Sequence, residues 1–157
     1  MNTKEIECRF LEIDKDALIK KLREIGAKDE GEAFLDEAII YDPELKWRDE
    51  ERFLRIRKSG EKGITLTYKE HKTHTVDGTY ELELHVDDFE KAKLLFEKIG
   101  LPFFRHNQKT RHTFKIKDVT IDIDTWPMIP TYVEFEGESE EELKEVAEMA
   151  GFDWKDA

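Results

Sequence analysis

Apolar residues recur at two distinct periods along this chain. Three segments carry the 3.6-residue spacing of an amphipathic helix. They cover residues 14–25, with Leu18, Leu22 and Ile25 aligned; residues 88–99, with Phe89, Ala92, Phe96 and Ile99; and a stretch from Ser139 that aligns Leu143, Val146 and Ala150. Gly26, Gly100 and Gly151 follow the three segments, as expected where a helix ends in left-handed backbone. Ser139 and Glu142 have the spacing of a capping box. Nearly everything else alternates with period two, which predicts strands near 4–10, 32–41, 52–58, 63–70, 79–86, 103–117 (with a break left open), 119–125 and 131–137. Trp126-Pro127-Met128-Ile129-Pro130 reads as a loop, since its prolines cannot sit in a central ladder. The pattern is α+β: eight antiparallel strands and three covering helices in one domain, 1–157.

The polar positions of these strands are sorted by sign. Glu5 and Glu7 alternate with Ile6 and Cys8, and Arg9 continues their face. Arg55 and Arg57 alternate with Leu54 and Ile56; Thr65, Thr67 and Lys69 with Ile64, Leu66 and Tyr68. Glu81, Glu83 and His85 share one parity, as do Lys109, Arg111, Thr113 and Lys115. Asp122 and Asp124 alternate with Ile121 and Ile123, and Glu134 and Glu136 with Val133 and Phe135. Residues two apart on a strand point to the same side, about 7 Å from each other, so a like-charged pair gains nothing from its neighbour. Helices can cover the apolar faces. The charged faces then point either to water, as in an open, salt-bridged sheet, or into a shared interior, as in a closed β-barrel with a polar lumen. Repetition over so many strands favours the interior. Carboxylates there suit Mg2+ or Mn2+, arginine and lysine suit phosphate oxygens, and a metal-bound polyphosphate would satisfy both.

Bulk properties narrow the partners. The net charge is −12, and charged residues make up 41% of the chain against 38% hydrophobic. Such an acidic chain is a poor match for nucleic acid. No apolar run reaches the length of a membrane span, and the first ten residues alternate like a strand instead of reading as a signal peptide. The single cysteine, Cys8, excludes an internal disulfide and fits a reducing, cytoplasmic setting. A homodimer stays open as an assembly.

In their order, these motifs resemble the CYTH domain, or triphosphate tunnel metalloenzyme superfamily, which includes class IV adenylate cyclases, thiamine triphosphatases and inorganic triphosphatases. The similarity rests on Glu5-Ile6-Glu7-Cys8-Arg9, Leu54-Arg55-Ile56-Arg57, Thr67-Tyr68-Lys69, Glu81-Leu82-Glu83, Lys109-Thr110-Arg111, Asp122-Ile123-Asp124 and Val133-Glu134-Phe135-Glu136-Gly137. It implies a closed eight-stranded antiparallel tunnel with helices outside. Glu5, Glu7 and Arg9 would form the catalytic motif. Arg55, Arg57, Lys69, Lys109 and Arg111 would hold the triphosphate. Glu5, Glu7, Glu134 and Glu136, with Asp122 and Asp124, would bind the metal, and Glu81 and Glu83 would be further ligands or water-orienting groups. One position departs from the family's ExExK: Arg9 stands where the lysine would be. Arginine cannot give up its proton, so it serves there only if the position holds phosphate or anchors a glutamate.

The expected activity is metal-dependent hydrolysis of an inorganic or small organic triphosphate, as no purine-reading motif stands out. Cyclisation of ATP is the first alternative and non-catalytic polyphosphate or nucleotide binding the second. His71 and His74 are read as loop residues, His106 and His112 as structural or surface groups, and Cys8 as a small core residue.

Overall fold

The two periodicities become eight strands and four helices in the computed structural model, which describes residues 3–60, 63–71 and 79–157, residues 3–5 by backbone alone. Their order is β1 (Thr3–Phe10), α1 (Lys15–Glu24), β2 (Lys28–Ile40), α2 (Lys46–Asp49), β3 (Arg52–Ser59), β4 (Ile64–His71), β5 (Thr79–Val86), α3 (Phe89–Lys98), β6 (Phe103–Ile116), β7 (Val119–Thr125), β8 (Tyr132–Gly137) and α4 (Glu140–Met149). Asp14, Asp88 and Ser139 precede α1, α3 and α4 in extended backbone. Each accepts a hydrogen bond from the backbone N–H three residues on, meeting a need that every helix start has. The prolines at 127 and 130 lie between β7 and β8, outside both strands.

Hydrogen-bonded neighbours run β2-β3-β4-β5 in one series and β6-β7-β8-β1 in another, all antiparallel. The expected α+β antiparallel architecture is present. Contacts group the chain into two compact units: Met1–Lys4 with Phe34–Gln108, and Glu5–Ala33 with Lys109–Ala157.

In the first unit, Ala38, Ile40 and Ile56 form a buried core with Phe89 of α3, joined by Leu54, Ile64, Leu66, Ala92, Phe96 and Leu101. In the second, Phe10, Phe114, Ile121, Ile123, Val133 and Phe135 are almost completely buried, as are Leu143 and Val146 of α4. The Phe10 ring stacks on Phe152 at 4.4 Å and meets Phe135 edge-on at 5.7 Å. Gly137 lets α4 sit close to the sheet, because a Cβ there would lie 3.3 Å from Leu143 and 3.4 Å from Val119. Covering one face of each four-stranded region leaves its other face to the sorted charges.

Candidate functional site

In the first unit, the charges opposite the core are matched across strands by register. Glu37 of β2 faces Arg57 of β3, Thr67 of β4 faces Glu83 of β5, and Lys69 faces Glu81. Arg57 Nε donates to Glu37 Oε1 at 2.6 Å. Glu81 sits between two bases, 3.7 Å from the Arg55 guanidinium and 3.6 Å from Lys69 Nζ. Thr67 Oγ1 donates to Glu83 Oε2 at 3.2 Å. Arg55, Arg57, Lys69 and Glu81 are all mostly buried, so their charges are weakly screened. Arg55, Arg57 and Lys69 thus share a weakly screened face with Glu37, Glu81 and Glu83, and guanidinium and ammonium groups held this way can also meet phosphate oxygens.

In the second unit, Thr113, Asp122, Glu134 and Arg9 are successive lateral partners across β6, β7, β8 and β1. The adjoining positions pair Arg111 with Asp124 on one side and Glu7 with Glu136 on the other. Arg111 anchors the group. Its Nε and Nη2 reach Asp124 at 2.7 Å each, Nη1 reaches Asp122 at 2.8 Å, and Nη2 also reaches Glu134 at 3.1 Å. Lys109 Nζ donates to Asp124 at 2.6 Å and lies 5.0 Å from the centre of the Trp126 ring. Thr113 Oγ1 donates to Asp122 at 2.6 Å. Arg9 donates to Glu134 through Nε at 3.0 Å and also through Nη2, with its guanidinium over the Tyr132 ring. The Tyr132 hydroxyl accepts from Trp126 Nε1 at 3.0 Å.

These contacts decide the protonation states. Burial by itself would push Asp124 up, yet the hydrogen bonds and charge of Arg111, helped by Lys109, hold it below the ordinary carboxylate range. Burial opposes ionisation of Glu134 too, and Arg9 and Arg111 override it and lower its pKa. The Tyr132 phenol is pushed up, by burial first and then by Asp124 and Glu134. Burial, with Glu7 beside it, pushes the Cys8 thiol up to about 12. That behaviour belongs to a packed residue and not to a nucleophile.

The structure brings Arg55, Arg57, Lys69, Glu81 and Glu83 onto one face, and Glu7, Arg9, Lys109, Arg111, Asp122, Asp124, Glu134 and Glu136 onto another. Glu5 is placed in β1, its side chain outside the described part. Lys109 and Arg111, read from the motif as phosphate ligands, are engaged with carboxylates here. Arg9 anchors a glutamate, one of the two roles open to arginine at that position. His106 pairs with Asp36, and His112 with Asp29 at 2.6 Å, while stacking on Phe114. His71 ends β4 instead of lying in a loop, and its ring hydrogen-bonds Thr79 at 3.0 Å; His74 falls outside the described residues.

Two residues of these faces escaped the sequence reading. Glu37 is 3% exposed; the available signal was the Asp36-Glu37 pair inside an otherwise apolar run. Tyr132 shares the parity of Glu134 and Glu136 but reads as an ordinary strand aromatic.

Divalent metal ions serve the CYTH family generally, so the donor set must be tested against them. Glu7, Glu136, Asp122 and Glu134 offer only carboxylate oxygens from adjacent strands, the chemistry that Mg2+ and Mn2+ prefer. Among the described residues, no three carboxylate, imidazole or thiol groups are already drawn together closely enough to hold an ion. The set fits in kind, and Glu134 and Asp122 would have to exchange guanidinium contacts for metal.

The model of the CYTH domain matches residues 3–152, and the chain belongs to that family. A protein of Methanocaldococcus jannaschii named "Putative adenylate cyclase" is 25% identical over 152 residues, 92% of this chain and 86% of its own. A solved structure from Pyrococcus horikoshii is 25% identical with a TM-score of 0.84, covering 97% of this chain and 93% of that one. Another, from Pyrococcus furiosus, is 26% identical with a TM-score of 0.82 and the same coverage. Among the described residues no helix is long and apolar enough to cross a membrane.

Proposed function

We propose that this protein is a divalent-metal-dependent hydrolase of a triphosphate, inorganic tripolyphosphate or a small organic triphosphate. One observation supports the reading: bases repeat along one face of β3 and acids along one face of β5, β7 and β8, with opposite charges met on neighbouring strands (Glu37 with Arg57, Glu81 with Lys69, Asp124 with Arg111), while Glu7–Glu136 and Asp122–Glu134 set acids side by side. An ordinary solvated face has no reason to keep acids and bases on separate strands. Ligand and metal give one.

Arg55, Arg57 and Lys69 take the phosphate oxygens, the arginines by forked hydrogen bonds. Lys109 and Arg111 add positive charge on the phosphate side while they stay bonded to Asp124. Glu7 and Glu136 hold the metal, with Asp122 and Glu134 completing the oxygen set and Asp124 keeping Arg111 in place. When bound, the ion neutralises phosphate charge and makes an attacking water more acidic. A carboxylate of this face would take a proton from the attacking water, Glu5 extends the acidic pair along β1, and Arg9 orients Glu134. Glu81 and Glu83 hold the bases of the first unit in position.

Cyclisation of ATP is the second reading, favoured by the name of the Methanocaldococcus jannaschii relative. One panel separates them: tripolyphosphate, thiamine triphosphate and ATP, each with and without Mg2+ or Mn2+. Metal-dependent orthophosphate release supports the hydrolase. Cyclic AMP and pyrophosphate from ATP support the cyclase. Binding without any product would leave a non-catalytic triphosphate receptor and end both.

A further inference from the structure

We propose that Arg9 is a positioning residue that latches Glu134 and thereby sets how tightly the carboxylates of β1, β7 and β8 take a divalent cation. The inference rests on the hydrolase reading and concerns its metal.

Both oxygens of Glu134 are engaged. Oε1 accepts from Arg9, and Oε2 accepts from Arg111 at 3.1 Å. The two guanidiniums are not equivalent. Arg111 is 16% exposed and carries three further hydrogen bonds to Asp122 and Asp124. Arg9 is 50% exposed; it bonds Glu134, lies over the Tyr132 ring at 4.8 Å and feels the charge of Glu7. A half-exposed guanidinium is reached by water and salt and is more readily exchanged, whereas Arg111 would have to abandon a buried group. Oε1 is therefore the oxygen that a cation can claim. It lies one register step from the Glu7–Glu136 pair and is the lateral neighbour of Asp122. A hard divalent ion needs carboxylate oxygens that are not shared with a guanidinium, so its binding is a competition with Arg9.

Lysine at this position keeps the charge but loses the fork and the flat surface that lies over Tyr132. Replacing Arg9 by lysine thus weakens the latch without changing local charge. The test is the dissociation constant for Mn2+, followed by calorimetry and by the electron paramagnetic resonance of free Mn2+. It uses the full chain, Arg9→Lys, Glu134→Gln and the double variant. The expected result is Mn2+ binding about tenfold tighter in Arg9→Lys, the size of a lost charged hydrogen bond, and no such gain when Glu134→Gln is also present. Equal or weaker binding in Arg9→Lys overturns the latch. So does a gain that survives Glu134→Gln, which would place the effect elsewhere, and so does the absence of Mn2+ binding in every variant. Phosphate release from tripolyphosphate, measured on the same samples, separates the two levels. A latch that behaves as expected with no hydrolysis in any variant sinks the hydrolase reading alone.

Discussion

Arg57 and Glu37 form a largely buried ion pair of the first unit, 2.6 Å from Nε to Oε1, with the carboxylate side chain 4% exposed and the guanidinium 16%. The asymmetry makes their removal unequal. Arg57→Ala strips a buried carboxylate of its guanidinium and should cost about 3–5 kcal/mol of folding stability. Glu37→Ala leaves a base with some access to water and should cost less, about 1–3 kcal/mol. Urea denaturation at pH 7 measures both, and the reverse ranking would contradict the geometry.

Ligand affinity should move differently from stability. Arg57→Ala is expected to weaken tripolyphosphate binding by about 1.5–3 kcal/mol, the worth of a charged hydrogen bond. Glu37→Ala releases Arg57 from its competitor and should leave that affinity unchanged or tighter. Calorimetric titration decides, and an Arg57→Ala protein that binds like the wild type would remove Arg57 from the phosphate assignment.

Glu7 and Glu136 face each other across β1 and β8. Glu7→Gln and Glu136→Gln should each abolish metal-dependent phosphate release while far-ultraviolet circular dichroism stays close to that of the wild type. Full activity in both variants would end their assignment to the metal.

Arg111 holds Asp122, Asp124 and Glu134 together. Arg111→Met should lose about 3–5 kcal/mol at pH 7, since three carboxylates then crowd without their shared counter-ion. The loss should shrink as pH falls and Asp124 and Glu134 protonate. A deficit independent of pH would mean that shape, not charge, is what Arg111 contributes.

The wild type should respond to acid in the opposite sense. Asp124 and Glu134 titrate lower in the folded protein than in the unfolded chain. Their stabilisation is therefore fully present above the ordinary carboxylate range, about pH 4–5, and is lost as pH falls through the depressed folded values. The urea midpoint should hold between pH 7 and about 5 and then drop. A midpoint that rises on acidification would show that these carboxylates are strained and not satisfied.

Much of this was legible because it is local. The caps at Asp14, Asp88 and Ser139 sit next to the helices they start, and the strand faces follow from period two within each segment. The parity that turned Arg55 away from Ile56, or Asp122 away from Ile123, is fixed by the pleat itself. Glu37 was hidden because both faces of β2 are buried there, which leaves Leu35, Ala38, Ile39 and Ile40 around it and no alternation to read. The first residues of β2, 28–31, were missed for the opposite reason. They are largely exposed, so ladder hydrogen bonds rather than apolar burial define them. The pairing of Arg111 with three acids was unreadable because register between strands far apart in sequence is set by the whole sheet. The α2 turn at Lys46–Asp49 buries nothing and leaves no periodic trace.

Cys8 lies on β1 between Glu7 and Arg9 but faces the packed side, which gives the protein an internal timekeeper. Burial pushes its thiol far above the usual range, so the reactive thiolate is scarce at neutral pH and alkylating reagents wait until the strand peels away. The rate at which Cys8 is labelled would count those openings. Anything that ties Glu7 or Arg9 more firmly on the reverse side of the same strand should slow the clock.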